Sequence, residues 1–162
     1  MKWRKNKYSC CQLVAAINAR IFFGMGDISD SLFEELSDLV MCKNGSAINV
    51  KKAYDKLEVV LENYNQGIPP FAWFEAYLPV AVSYFDDKYG YHSALVVDTF
   101  GKHSKKGNYG LKLVGANQEK MLWGDFCHKL PWHEHQLCFV RFINRRECVE
   151  YKDGNLARVF ID

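Results

Sequence analysis

The chain has 162 residues, of which 49% are hydrophobic and 25% charged, and a formal net charge of +2 at pH 7. This composition is typical of one globular domain with a core, and it excludes the disordered and fibrous classes. The small net charge does not indicate a nucleic-acid partner. No run approaches the roughly 18 apolar residues of a membrane span, and the first residues lack the apolar core of a signal peptide. We therefore expect a cytoplasmic protein with no nucleic-acid or membrane partner and with free thiols.

The first part of the chain has helical spacing. Predicted helices occupy residues 10–23, 32–42 and 50–62. Gly24 closes the first helix, a capping box of Ser31 with Glu34 opens the second, and Asn44-Gly45 closes the second. The chain up to about residue 63 is therefore predicted to be all helical.

The second part is aromatic and β-branched. Strand-like runs occupy residues 80–85, 92–98, 111–116 and 136–143, and a final hairpin is predicted around Asp153-Gly154. Helices first and strands after predict an α+β domain. Its N-terminal helical lobe, about residues 1–67, is expected to pack on a C-terminal antiparallel sheet, about residues 68–162. A dense aromatic group near the junction is predicted to be core rather than the lining of a groove: Phe71, Trp73, Phe74, Tyr77, Tyr84 and Phe85.

Two cysteines lie at the start of the first predicted helix. A capping box makes Ser9 the N-cap, so Cys10 and Cys11 occupy the first turn, where free N–H groups and the helix dipole stabilise a thiolate. Cys10 shares the spacing of a core-facing apolar row, whereas Cys11 lines up with Ala15 and Asn18 in a mixed row with room beside the sulfur. Cys11 is therefore the candidate nucleophile. The alternative is that both cysteines only fill space.

A thiol nucleophile needs a base, and His92 lies at the start of the most apolar predicted strand. Asn117 follows the next strand, where its side-chain carbonyl would accept the imidazole N–H and fix the tautomer. Purely structural roles are the alternatives for both residues. Asp98 lies too far from His92 to replace Asn117, because an extended strand separates them by roughly 20 Å.

These segments resemble the motifs of papain-like cysteine peptidases, especially the compact bacterial and phage forms related to bacteriocin-processing peptidases. Residues 10–24 resemble the nucleophile motif, in which a glycine thirteen residues after the cysteine matches Gly24 if the nucleophile is Cys11. Residues 90–98 resemble the Gly-His motif with one residue inserted, and Asn117 resembles the third motif. The resemblance implies a single papain-like domain over residues 1–162. It also implies that Cys11, His92 and Asn117 cleave a peptide or other amide bond, in a peptide or protein substrate, without a cofactor.

The chain departs from this family before the nucleophile. The family has Gln about six residues upstream as an oxyanion donor. Lys5 stands there in this chain, and the neighbouring Asn6 is the candidate replacement. In addition, Gln12-Leu13 replaces the Gly-Pro that usually follows the cysteine. An inactive papain-like binding module is therefore the alternative function.

A second alternative is a zinc-stabilised interaction domain. Five residues within a dozen positions are potential zinc ligands: Cys127, His128, His133, His135 and Cys138. Structural zinc sites favour two separated ligand pairs, a spacing that this cluster lacks. The segment is therefore predicted to be a surface loop leading into a buried strand, with no metal.

Overall fold

The fold is known from a computed structural model, which describes residues 2–5, 11–41, 47–64, 68–86, 90–102, 107–115, 117–130, 139–144, 147–152 and 155–160. The helices are α1 (Cys11–Phe22), α2 (Asp30–Met41), α3 (Ala47–Leu57), α4 (Phe71–Tyr77) and α5 (Trp123–Lys129). None of these described helices combines the length and the hydrophobicity that crossing a bilayer requires.

Most strands belong to one antiparallel sheet, in the spatial order β1-β6-β2-β3-β4-β5. Its strands are β1 (Val59–Tyr64), β2 (Val80–Asp86), β3 (Gly90–Phe100), β4 (Gly110–Val114), β5 (Gln118–Leu122) and β6 (Phe139–Asn144). A separate hairpin pairs β7 (Glu147–Lys152) with β8 (Asn155–Phe160). The predicted α+β architecture and the predicted final hairpin are confirmed, although the turn at Asp153-Gly154 lies outside the described residues.

Helix α1 ends where the sequence predicts. Gly24 has a φ of 75°, which is the left-handed conformation that glycine adopts most readily. Its N–H donates to the Ile21 carbonyl, and the Met25 N–H donates to the Arg20 carbonyl, both at 3.0 Å. These two bonds form a Schellman motif, which satisfies the last carbonyls of the helix.

Helix α2 begins two residues earlier than predicted. The Leu32 N–H donates to Ser29 Oγ at 3.1 Å, so Ser29 is the N-cap, and the predicted capping box of Ser31 with Glu34 is wrong. Ser31 instead lies in the first turn, next to Asp30, whose carboxylate favours the positive end of the helix. The predicted end of this helix, Asn44-Gly45, lies outside the described residues.

The third helix is shorter than predicted, and the prediction of an all-helical first part is wrong. Helix α3 ends at Leu57, and Glu58 turns the chain with a φ of 59°. The following strand β1 pairs with β6 over its full length. The β-branched pair Val59-Val60 fits a strand, and pairing with a distant segment is tertiary context that helical spacing does not reveal.

Three short elements were also not predicted, namely α4, β5 and α5. The two helices have seven residues each, too few to produce a clear helical period. As a result, the segment at Cys127 and His128, predicted as a loop, is part of α5.

The sheet carries a hydrophobic core on each face. Alternation along β3 directs Leu95 to the core with α1, α2 and α3, whereas Ala94 and Val96 belong to the core with α4 and α5. Phe71, Phe74 and Tyr84 are buried in the second core, as predicted from the density of aromatic residues. Phe85 differs, being 47% exposed.

Two glycines allow a test of the α1 terminus. A Cβ on Gly24 or on Gly124 would meet nothing within 4 Å, but only Gly24 has a positive φ. We expect Gly24→Ala to lower the free energy of unfolding by about 1 kcal/mol through backbone strain alone. The matched control Gly124→Ala, in α5, should leave stability unchanged or raise it by up to about 1 kcal/mol. Urea unfolding measures the free energy of unfolding of both variants. Equal changes in the two would contradict the role of the positive φ at Gly24.

Candidate active site

Helix α1 is enclosed by the rest of the protein. All of its residues from Leu13 to Ala19 are buried. The helix face that contains Ala15 and Asn18 was predicted to mix polar and apolar residues, but it is as buried as the apolar face of the helix. Trp3 of the N-terminal segment, residues 2–5, packs against this core. Cys11, the first residue of α1, is half-buried and is a free thiol, whereas the predicted cap Ser9 and the neighbouring Cys10 lie outside the described residues.

Two residues at the start of β3 act on the pKa of the Cys11 thiol through hydrogen bonding: His92 through its side chain, and Ser93 through its backbone N–H and its hydroxyl. Burial by itself would raise the pKa of the Cys11 thiol, but these hydrogen bonds and the charge of His92 outweigh it, so the pKa is lowered. The start of the helix also favours the thiolate, because its N–H groups have no partner within the helix.

The imidazole of His92 lies between two strands. It is half-buried and meets the Tyr84 ring edge-on, with 5.6 Å between ring centroids. On the β4 side, its Nε2 lies 3.5 Å from the position that a Cβ on Gly115 would take. The turn after β4 therefore lies next to the Nε2 side of the imidazole.

Asn117 lies in this turn rather than at a strand end, because β4 already ends at Val114. The Gly115 N–H donates to the Asn117 carbonyl at 3.2 Å, which closes the turn next to the imidazole. Asn117 itself is exposed. Asp98, which we rejected from the sequence as a replacement for Asn117, pairs with Lys112, with 3.6 Å between Asp98 Oδ2 and Lys112 Nζ.

Two predicted features lie wholly or partly outside the described residues. The first is Asn6, the candidate oxyanion donor. The second is the potential zinc cluster, of which His133, His135 and Cys138 are not described. Cys127 is half-buried in α5, where burial raises the pKa of its thiol. Within the described part of the chain, no three potential metal ligands lie together.

The described architecture matches the crystal structure of the peptidase domain of Streptococcus ComA, a bifunctional ABC transporter involved in a quorum-sensing pathway, with a TM-score of 0.58. The match covers 88% of this chain and 96% of that chain, at 14% sequence identity. The chain has a papain-like peptidase fold. The fold expected from the family resemblance is thus confirmed, and at this identity the match concerns the fold alone. No protein-family model matches the chain, and no curated protein sequence matches it.

One feature of this papain-like fold was not predicted: Asn18 ties the N-terminal segment to α1. Its Oδ1 accepts from the Arg4 N–H at 2.8 Å, and its Nδ2 donates to the Arg4 carbonyl at 3.0 Å. Asn18 is fully buried, so both ends of its amide need these partners. The signal in the sequence was a polar amide within an otherwise apolar helical run.

The Arg4 side chain extends the same attachment. Its guanidinium donates to Asp27, to Asp30 and to the Ile28 carbonyl, at 3.0, 2.7 and 2.6 Å. It also lies 4.8 Å from the centroid of the Phe33 ring. The two ion pairs reach exposed carboxylates and contribute little individually, so the bonds to the buried amide are the stronger part of the attachment.

A groove of about 640 Å³ lies beside this attachment. It is lined by Lys2, Trp3, Arg4, Lys5, Asp27, Asp30 and Gln118. Neither Cys11 nor His92 lines it, so the reactive thiol lies outside this groove.

Asn18→Leu tests the attachment of the N-terminal segment. The variant keeps the number and branching of the side-chain heavy atoms but leaves the Arg4 N–H and carbonyl without their partner. We expect it to lower the free energy of unfolding by about 1–3 kcal/mol. The control Asn108→Ala, at an exposed position, should change it by less than about 0.5 kcal/mol. Urea denaturation measures both, and equal values would contradict a special role for Asn18.

The opposite pKa shifts of Cys11 and Cys127 predict different reactivity. Since a lower pKa means a larger thiolate fraction, iodoacetamide should modify Cys11 faster than Cys127 at pH 7. As the pH rises through the raised pKa of Cys127, this advantage should disappear, because both thiols are then ionised. Peptide mapping by mass spectrometry measures the two rates. Equal rates at pH 7, or faster labelling of Cys127, would refute the prediction.

Proposed function

We propose that the protein is a thiol-dependent hydrolase that cleaves an amide bond in a peptide or protein. The observation that carries this proposal is the pKa of the Cys11 thiol, which the His92 side chain lowers through hydrogen bonding and charge at the start of a buried helix. A low-pKa thiol with an adjacent imidazole is the arrangement that activates cysteine for nucleophilic catalysis. The fold shared with a domain named a peptidase supports a peptide substrate.

In the proposed reaction, the Cys11 sulfur attacks the carbonyl carbon of the scissile amide, and the carbonyl oxygen becomes an oxyanion. His92, which holds the proton taken from the thiol, gives it to the leaving nitrogen as the C–N bond breaks. A thioester remains on Cys11. Water then attacks the thioester and passes a proton to His92, and the C–S bond breaks to release a carboxylic acid and the Cys11 thiolate, which takes its proton back from His92 to restore the thiol.

Two further groups complete the proposed machinery. Asn117 would accept the N–H of His92 Nε2 and keep the other ring nitrogen directed at the sulfur. Its place in the turn beside Nε2 supports this role. The backbone N–H of Cys11 and the side chain of Asn6 would donate to the oxyanion. The Cys11 N–H suits this role, since the first N–H groups of a helix have no partner within the helix.

Substitution of the three residues tests the proposal. Cys11→Ala should abolish cleavage, and His92→Ala should reduce it by at least about 10²-fold through loss of the general base. Asn117→Ala should reduce it by less, because the Tyr84 ring and the β4 side also hold the imidazole. Cleavage can be followed by mass spectrometry of a mixed peptide library, with each variant's unfolding measured in parallel.

The intermediate offers a direct control. Hydroxylamine should intercept the thioester and yield peptide hydroxamates with the unmodified chain, and none with Cys11→Ala. Any cleavage that persists in Cys11→Ala, or undiminished cleavage in His92→Ala, would refute the mechanism. A folded chain that binds peptides equally well with and without Cys11 and forms no hydroxamate would instead be an inactive binding module.

A further inference from the structure

Ser93, the residue after His92, lies close to the Cys11 sulfur. Ser93 is only 6% exposed, and strand alternation puts it on the same sheet face as Leu95, which packs in the core around α1. Hydrogen bonding from its N–H and from its hydroxyl is among the causes that lower the pKa of the Cys11 thiol. Ser93 is thus a buried polar residue whose partners include the proposed nucleophile.

The hydroxyl of Ser93 is hydrogen-bonded to a second serine, Ser83. Ser83 on β2 is directly opposite Ser93 in the β2–β3 register, and the two Oγ atoms are 2.9 Å apart. A hydroxyl has one proton but two acceptor positions. If Ser93 gives its proton to the sulfur, its oxygen is left to accept the proton of Ser83, so a chain of two donors ends on Cys11.

We propose that Ser93 is a further catalytic residue, whose hydroxyl holds the Cys11 thiolate, and that Ser83 is the positioning residue that orients this hydroxyl. The inference rests on the proposed function, because it concerns the same nucleophile. No covalent bond changes in this step. Each proton stays on its oxygen, and the hydrogen bond to sulfur weakens as the sulfur loses its negative charge in the attack on the substrate.

Among the described residues, Tyr84 of β2 is a titratable group that contacts His92. The charged Arg4 of the N-terminal segment is paired with Asp27 and Asp30. Helices α2 and α3 contribute uncharged buried residues to the core around α1: Phe33, Leu36, Ala53 and Leu57.

The alkylation rate of Cys11 as a function of pH tests the inference and needs no substrate. Without the Ser93 hydroxyl, the thiol should ionise at higher pH, so Ser93→Ala should raise the midpoint of the profile by about one pH unit. Below the midpoint, Cys11 should react about ten times more slowly with iodoacetamide. Above it, the variant should react as fast as the parent or faster, because a more basic thiolate is more nucleophilic.

Ser83→Ala should shift the midpoint in the same direction but less. The double variant should match Ser93→Ala, since Ser83 acts only through Ser93. Ser93→Thr, which keeps a hydroxyl, should restore the parent profile. The matched control is Ser37→Ala, which removes a buried hydroxyl that donates to the Phe33 carbonyl in α2, and it should leave the profile unchanged.

Three results would overturn the inference: an unchanged profile in Ser93→Ala, additive shifts of the two serine substitutions, or a rate that falls equally at every pH. The outcome is separable from the proposed function. A shifted profile in a chain that cleaves no peptide would support the serine pair and refute the peptidase. Peptide cleavage with an unchanged Ser93→Ala profile would refute the serine pair alone.

Discussion

The contact between α1 and β3 positions everything else in the site. Of the described elements, β3 is the one that α1 touches most extensively, and it supplies both His92 and Ser93 to the sulfur. Hydrophobic burial holds the two elements together but has no direction, so it does not by itself set where the first residue of the helix lies. Hydrogen bonding at Cys11 defines the start of α1, and the Schellman motif at Gly24 defines its end. Together they fix where the Cys11 sulfur lies.

The N-terminal segment, residues 2–5, is attached to α1 by the buried side chain of Asn18. In the peptidases that the sequence resembles, the oxyanion donor lies upstream of the nucleophile, in a segment whose position depends on its attachment to the rest of the fold. Here Asn18 lies seven residues after Cys11 and therefore on the same helix face, about 10 Å along the axis. By binding both backbone groups of Arg4, it fixes the N-terminal segment to α1, the helix that begins with the proposed nucleophile. One buried amide thus links the two through uncharged groups.

Local signals in the sequence predicted the parts of the fold that local chemistry determines. Gly24 ends α1, and the alternating strands and the final hairpin follow their side-chain patterns. Strand β1 could not be predicted in this way, because Val59 follows a helix directly and pairs with a segment far along the chain. The same limit applies to the site. Spacing and resemblance singled out Cys11 and His92, but only the packing of β2 against β3 brings Ser83 to Ser93, since no sequence pattern encodes that register.

The chemistry of Cys11 depends on a balance between burial and hydrogen bonding. Burial excludes water from the nucleophile but opposes its ionisation, so a half-buried thiolate needs donors from the protein. An imidazole is one such donor, but it must also exchange protons during the reaction, and its help to the thiolate changes as it does so. The N–H and hydroxyl of Ser93 keep their protons at every pH at which the protein is folded. A donor that does not titrate can stabilise the thiolate before the attack, whichever protonation state the imidazole has, so in the proposed mechanism the two kinds of donor are complementary rather than redundant.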